Sequence, residues 1–94
     1  MMKTYKTIII DDERLAREEV KRSLKKYQEF EIVGEASNVD EAIVLIKDLQ
    51  PDLLFLDIHM PEKSGFDLLE ELTNVPDVVF TTAYDQYAVK AFEM

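Results

Sequence analysis

The chain has 94 residues, of which 47% are apolar, with two glycines and three prolines, a composition typical of one small globular domain. Its formal net charge of −9 argues against direct contact with nucleic acid and is compatible with a cation or a basic partner. The absence of cysteine excludes disulfides and thiolate metal sites and favours a cytoplasmic setting. No apolar run approaches the roughly 18 residues of a membrane span, and no secretion signal is expected at the start.

The first element is a β-branched run followed by acids. Residues 5–10 (Tyr-Lys-Thr-Ile-Ile-Ile) predict a strand that ends at Asp11 and Asp12. Apolar residues then recur at helical spacing from about Glu13 to Gln28, which predicts a helix. We expect Asp11 or Asp12 to cap this helix, and Glu13 suits the positive end of its dipole.

Two further strand–helix pairs follow. Residues 31–36 predict a short strand, and the start signal Ser37-x-x-Asp40 precedes an apolar helical pattern that Pro51 ends. Residues 53–56 (Leu-Leu-Phe-Leu) then run into Asp57. Such an uninterrupted apolar run is typical of a strand buried on both faces of a parallel sheet.

The last elements complete an alternating pattern. A loop reaches Gly65, residues 66–72 predict a third helix, residues 77–82 a fourth strand, and residues 84–94 the start of a fourth helix. Four strand–helix repeats with right-handed crossovers predict an α/β fold with a doubly wound parallel sheet. A dinucleotide-binding fold is disfavoured, because no G-x-G-x-x-G motif follows the first strand.

Polar side chains follow three of the predicted strands. Asp11-Asp12, Asp57 and Thr81-Thr82 would lie together, because the carboxyl ends of parallel strands meet at one edge. Crowded carboxylates repel one another, so they favour a divalent cation, Mg²⁺ or alternatively Mn²⁺. A carboxylate beside that cation could accept a phosphoryl group. The simpler alternative is that each Asp is a turn residue or helix cap.

These motifs carry a family resemblance. Asp11-Asp12, the segment Phe-Leu-Asp-Ile-His-Met-Pro at residues 55–61 with Gly65 beyond, and Thr82-Ala83 resemble the response-regulator receiver domain over the whole chain. Residues 82–92 further resemble the branch whose receiver precedes a LytTR-type DNA-binding domain. The resemblance implies a flavodoxin-like sheet of order 2-1-3-4-5. For residues 1–94 we expect the order 2-1-3-4.

The resemblance also implies the chemistry of two-component signalling. A sensor histidine kinase would phosphorylate Asp57 in an Mg²⁺-dependent reaction, and the domain would control an output domain. Asp12, Asp57 and the backbone carbonyl of His59 would bind the metal, and Asp11 would bind it through water. The side chain of His59 is expected to point to solvent.

The carboxyl-terminal part completes the expectation. Thr82 would be the switch hydroxyl, and Ala83 would leave room for the phosphoryl group. Receivers continue into a fifth strand, which ends in a lysine, and then into a fifth helix. Residues 1–94 are therefore expected to form one receiver domain that is incomplete at its C-terminus. No catalytic lysine is assigned, since neither Lys63 nor Lys90 follows a predicted strand.

Other readings remain open at this stage. A small Mg²⁺-dependent phosphatase with an aspartyl nucleophile would favour an Asp where His59 stands, and a non-phosphorylated pseudo-receiver would not need the acid cluster. The basic series of the first helix, Arg14, Arg17, Lys21, Arg22, Lys25 and Lys26, predicts a solvated face, with contact to a kinase as the alternative. The fourth strand would be an unprotected edge, which predicts a dimer or larger assembly through that strand and the fourth helix.

Overall fold

The structure, a computed structural model, describes residues 3–81. These residues form one sheet of parallel strands in the order β2-β1-β3-β4, with helices in the connections, as the sequence predicted. The strands are β1 (Tyr5–Ile10), β2 (Phe30–Ala36), β3 (Leu53–Leu56) and β4 (Asp77–Phe80), and the helices are α1 (Arg14–Leu24), α2 (Val39–Leu49) and α3 (Gly65–Glu71).

The main core lies between one face of the sheet and helices α2 and α3. Alternate residues of β1 and β3 project to this face, and their side chains have no exposed surface: Ile8, Ile10, Leu54 and Leu56. They pack against the helical residues Val39, Ala42, Ile46 and Leu68. Each fully buried side chain of this kind contributes about 1.5–3 kcal/mol, so packing on this face stabilises the sheet whose strand ends carry the acids.

The opposite face is covered by α1, which packs against β1 and β2. Within residues 3–81, α1 covers this face only in part. Leu53 and Phe55 of β3 are only half-buried, and Phe55 and Val79 line a groove of about 420 Å³ beside α1. The sequence predicted that β3 is buried on both faces. Within residues 3–81, only the face that carries Leu54 and Leu56 is fully buried.

The amino-terminal ends of three strands meet at Asp52. The amide of Lys6 donates to the Asp52 carboxylate at 2.9 Å, and the amide of Asp52 donates to the Lys6 carbonyl at 2.8 Å. The Asp77 amide donates in turn to the Asp52 carbonyl at 3.1 Å. Asp52 thus links β1, β3 and β4 at the edge of the sheet opposite to the acid cluster.

Helix α1 differs from its prediction at both ends. It ends at Leu24 because the chain turns there: the Tyr27 amide donates to the Leu24 carbonyl at 2.9 Å, and the Tyr27 ring packs edge-on against Phe30 of β2. Its N-cap residue is Glu13, whose side chain makes no capping bond. The prediction that Asp11 or Asp12 occupies the cap was wrong.

The other elements match their predicted positions closely. Helix α2 is capped by Asn38, whose side chain accepts from the Glu41 amide at 2.8 Å, while Ser37 donates to the Glu41 carboxylate. Strand β4 ends at Phe80, two residues short of the predicted end. Thr82 and Ala83, which the resemblance implies as switch residues, and the predicted fourth helix lie outside the described residues. Within residues 3–81, no helix has the length and apolar character needed to cross a membrane.

Candidate metal centre

Two strand ends bring the acids of the sequence together. The ladder of the sheet continues one residue past each strand, since the Asp11 amide donates to the Ala36 carbonyl at 3.1 Å and the Asp57 amide to the Ile10 carbonyl at 3.0 Å. Asp11 and Asp57 therefore emerge side by side from the central strands β1 and β3. This is the carboxyl edge at which parallel α/β sheets bind ligands.

The three aspartates form one cluster. Asp11, Asp12 and Asp57 each offer a carboxylate oxygen, and these oxygens all lie within 4.8 Å of one another. Of residues 3–81, these are the ones grouped closely enough to hold a metal ion. The sequence predicted this grouping from the strand ends, and the structure confirms it.

Asp11 is the buried member, with 7% of its surface exposed. Burial raises the pKa of its carboxyl above the ordinary value of 3.8, although the Glu13 amide, which donates to Asp11 Oδ1 at 2.9 Å, lowers it in part. The negative charges of Asp57 and Asp12 raise the pKa further. Burial and the neighbouring carboxylates therefore both act against the charged form of Asp11.

Such a donor set fits a divalent cation. Carboxylate oxygens are hard ligands, and Mg²⁺ binds one or two carboxylates while it keeps several waters. A cation would offset the repulsion from Asp57 and Asp12, which adds to the effect of burial on the Asp11 pKa. The chemistry and spacing of the three carboxylates therefore suit Mg²⁺, which would leave coordination positions for water and phosphate oxygens.

The loop between β3 and α3 shapes the site around Asp57. The backbone amide of His59 donates to Asp57 Oδ1 at 3.2 Å, and His59 is exposed. The Gly65 amide donates to the Ile58 carbonyl at 2.9 Å. A Cβ atom at position 65 would lie 2.6 Å from the Asp57 carbonyl oxygen, so the loop can approach the strand end this closely only with glycine there.

Helix α3 begins directly after this loop. Ser64 and Asp67 form a capping box: the Ser64 hydroxyl accepts from the Asp67 amide, and the Asp67 carboxylate accepts from the Ser64 amide. Lys63 pairs with Asp40 at 3.2 Å and Glu71 at 3.6 Å. These exposed ion pairs connect the loop to α2 and α3.

A set of contacts beside the acids was missed by sequence reasoning. Arg17 Nε lies 3.0 Å from Glu35 Oε1, Arg17 Nη1 donates to the Asp11 carbonyl at 2.8 Å, and Lys21 Nζ lies 2.7 Å from Glu35 Oε2. The hydrogen bond from Lys21 lowers the pKa of Glu35 below 4.5 and raises that of Lys21.

The prediction that the basic series is a solvated face was therefore wrong for Arg17, whose side chain is only 16% exposed. The spacing of Arg17 and Lys21, one helical turn apart, was the only signal in the sequence. Arg14, Arg22, Lys25 and Lys26 are exposed as predicted.

A sheet of order 2-1-3-4 with clustered aspartates after its first and third strands defines a receiver-type domain. The sequence profile of the response regulator receiver domain matches residues 7–94. The chain belongs to this family and is the receiver domain of a two-component response regulator.

Similar curated proteins have regulatory names. The chain is 51% identical over 90 residues to the sensory transduction protein LytT of Enterococcus faecalis, covering 93% of this chain and 37% of that protein. It is 49% identical over 90 residues to the transcriptional regulatory protein BtsR of Escherichia coli, covering 94% and 38%. The chain thus spans a little over a third of the length of these relatives.

Solved structures agree on the fold. The response regulatory domain of protein mrkE from Klebsiella pneumoniae is 33% identical, with a TM-score of 0.80 over 94% of this chain and 75% of that chain. The receiver domain of a putative NarL response regulator from Mycobacterium tuberculosis is 30% identical, with a TM-score of 0.74 over 93% and 73%. The flavodoxin-like receiver fold that the sequence resembled is therefore confirmed.

Proposed function

We propose that Asp57 is the phosphoacceptor of this receiver domain and that a sensor histidine kinase donates the phosphoryl group. The observation that carries the proposal is the cluster of Asp57 with Asp11 and Asp12 at the end of a central strand. In the transfer, a carboxylate oxygen of Asp57 bonds to phosphorus as the bond from phosphorus to the donor breaks. The His59 amide, which donates to Asp57 Oδ1, helps to hold the carboxylate in one orientation.

The proposal includes a metal-binding role for the acids. Asp12, Asp57 and the backbone carbonyl of His59 would bind Mg²⁺ or Mn²⁺, and Asp11 would bind it through water. When bound, the cation supplies positive charge that offsets the charge on the transferring phosphoryl group. The short distances among the carboxylate oxygens and the raised pKa of Asp11 support this assignment.

Further roles in the proposal come from the resemblance. Thr82 is proposed as the switch hydroxyl that binds a phosphoryl oxygen, and Ala83 as the small neighbour that leaves access. The domain is not a classical enzyme, and we propose that its own chemistry is limited to self-catalysed phosphotransfer and dephosphorylation. Residues 1–94 would form one receiver unit in the cytoplasm, as the lack of cysteine and the need to meet a kinase suggest.

We also propose that the phosphorylated domain controls an output domain of the LytTR DNA-binding type. Support comes from the resemblance of residues 82–92 and from the regulatory names of relatives that are much longer than this chain. The net charge of −9 makes direct contact of this domain with nucleic acid unfavourable. DNA binding is therefore assigned to the output domain.

Self-association is a further part of the proposal. Strand β4 lies at the edge of the described sheet, and Val79 in its middle is 44% exposed. An edge strand without charge or proline in its middle is a template for pairing with another chain. We propose that a polypeptide of residues 1–94 forms a dimer or larger assembly through β4 and the predicted fourth helix.

Labelling with a small phosphodonor tests the central proposal. Full-length protein is incubated with acetyl phosphate and Mg²⁺, alongside Asp57→Asn and, as a matched control, Asp48→Asn, which changes an exposed acid of α2. We expect stoichiometric labelling of wild type and Asp48→Asn and none of Asp57→Asn. Rapid hydrolysis of acetyl phosphate without accumulation of labelled protein would indicate a phosphatase instead, and no labelling of wild type would indicate a pseudo-receiver.

A further inference from the structure

Arg17 joins three parts of the structure at one point. It lies in the first half of α1, and its guanidinium contacts both β2, through Glu35 Oε1 at 3.0 Å, and the β1–α1 turn, through the Asp11 carbonyl at 2.8 Å. Its side chain is 16% exposed. A charge-assisted bond that is largely withdrawn from solvent holds its geometry more strongly than a surface pair does.

The bond from Arg17 is one of three hydrogen bonds that hold Asp11 in place. The Asp11 amide is held by the Ala36 carbonyl, its carboxylate accepts from the Glu13 amide, and its carbonyl accepts from Arg17. The carbonyl of Asp11 belongs to the peptide unit that continues into Asp12. Arg17 therefore restrains the segment that carries two of the three clustered carboxylates.

Glu35 fixes the orientation of the arginine. It stands opposite Ile9 in the β1–β2 register, close to the end of the strand that carries Asp11. Its other carboxylate oxygen is bound by Lys21 at 2.7 Å, so the carboxylate is itself anchored to α1. The planar fork of arginine can reach a carbonyl and a carboxylate together, whereas the single ammonium of a lysine cannot match this geometry.

We infer that Arg17 is a positioning residue of the acidic site: anchored by Glu35, it holds the Asp11 carbonyl and thereby sets the placement of Asp11 and Asp12 for a divalent cation. This inference rests on the proposed function, in which that cation binds. A residue that orients a metal ligand without contacting the metal commonly changes metal affinity by about tenfold or more. Loss of Arg17 is thus expected to weaken cation binding although it touches no cation.

Calorimetric titration of the full-length protein with Mg²⁺ tests the inference, with thermal unfolding recorded for each variant. Arg17→Gln removes both contacts, and Arg17→Lys keeps the positive charge but not the fork. Lys21→Gln is the matched control, since Lys21 binds the same Glu35 carboxylate without a bond to Asp11. We expect Arg17→Gln to bind Mg²⁺ about tenfold more weakly, Arg17→Lys to lie between it and wild type, and Lys21→Gln to stay within about twofold.

The outcomes separate a positioning role from general stability. If both Arg17 variants bind Mg²⁺ as wild type does, or if Lys21→Gln loses as much affinity as Arg17→Gln, the inference is overturned. Should Arg17→Gln fail to fold, the comparison of Arg17→Lys with Lys21→Gln decides in the same way. A wild-type protein that binds no Mg²⁺ would overturn the proposed metal site, and with it this inference, whereas the other outcomes leave that site intact.

Discussion

At the scale of single residues, the acidic cluster brings three carboxylates together at one edge of the sheet. Asp11 is buried, and Asp57 and Asp12 stand beside it, so the pKa of its carboxyl is raised. The Glu13 amide, which donates to Asp11 Oδ1, lowers this pKa in part. A bound divalent cation would lower the repulsion among these carboxylates, which makes the cluster the natural place to measure cation binding.

The contributions of the three aspartates should differ. We expect Asp12→Asn and Asp57→Asn to weaken Mg²⁺ binding by more than about tenfold, because each removes a direct ligand in the proposed site, and Asp11→Asn to weaken it less, because its contact runs through water. Titration calorimetry measures each affinity, with Asp48→Asn as the control. Unchanged affinity in both Asp12→Asn and Asp57→Asn would refute the assignment of ligands.

Glu35 should make stability depend on pH. Its folded-state pKa is lowered by Lys21 and Arg17, so its ion pairs stabilise the fold above the ordinary pKa of 4.5, and this contribution is lost as the pH falls through the lowered value. Glu35→Gln should therefore be less stable than wild type at neutral pH, by no more than about 1 kcal/mol for such partly exposed pairs.

Urea unfolding at neutral pH and well below pH 4.5 measures this difference. We expect the two curves to converge at the lower pH, where Glu35 is protonated in wild type. A difference that stays constant between the two conditions would show that Glu35 acts through packing and not through its charge.

At the scale of elements, the loop between β3 and α3 depends on one glycine. In Gly65→Ala the new Cβ would meet the Asp57 carbonyl at 2.6 Å and Ile58 Cα at 3.1 Å, and both are backbone atoms that cannot rotate away. We expect destabilisation of about 1–3 kcal/mol, as for other overpacked sites, measured by urea unfolding. Displacement of the Asp57 backbone should also slow phosphorylation.

Gly34→Ala provides the matched control. Its Cβ would meet side-chain atoms of Leu45 and Leu49 at 3.4 and 3.5 Å, which is close to ordinary contact, and φ at Gly34 is not positive. We expect a change of less than about 1 kcal/mol, since alanine restricts the unfolded chain without strain in the strand. Equal losses in the two variants would contradict the steric explanation for Gly65.

The elements that sequence predicted best are those with one dominant pattern. Strands β1 and β3 were predicted with the bounds that the structure shows, because a β-branched run or an uninterrupted apolar run next to a polar stop leaves few alternatives. The end of α1 was predicted too late, because the helical spacing continues to Tyr27 while that ring packs on Phe30 of the next strand. Such a tertiary contact has no signature in local spacing.

The same contrast holds for the site. The clustering of Asp11, Asp12 and Asp57 was predictable because parallel strands share one carboxyl edge, whatever their side chains do. The contact of Arg17 with Glu35 was not, because it depends on the angle at which α1 crosses the sheet and on the side-chain rotamers. Sequence alone therefore predicts that charged helix residues are exposed to solvent. A contact such as that of Arg17 is found only when the strand residue opposite it is known.

At the scale of the whole molecule, the edge at β4 predicts self-association. A polypeptide of residues 1–94 should form a dimer or larger species in light scattering, or unfold without a sharp transition, because β4 is the outer strand of the described sheet and carries an exposed Val79. A longer polypeptide that adds a fifth strand should be less associated at equal concentration. A well-folded monomer of residues 1–94 would contradict the edge argument.

The hydrogen bonds at Asp52 have a consequence for synthesis on the ribosome. Lys6 and Asp52 are separated by 46 positions in the chain, so β1 emerges long before the strand that pairs with its second edge. Until β3 arrives, β1 can pair only with β2, and its apolar residues Ile8 and Ile10 lack the cover of Leu54 and Leu56. Parallel pairing over such separations is slow, and we expect the nascent chain to expose this two-stranded sheet to chaperones before β3 pairs with it.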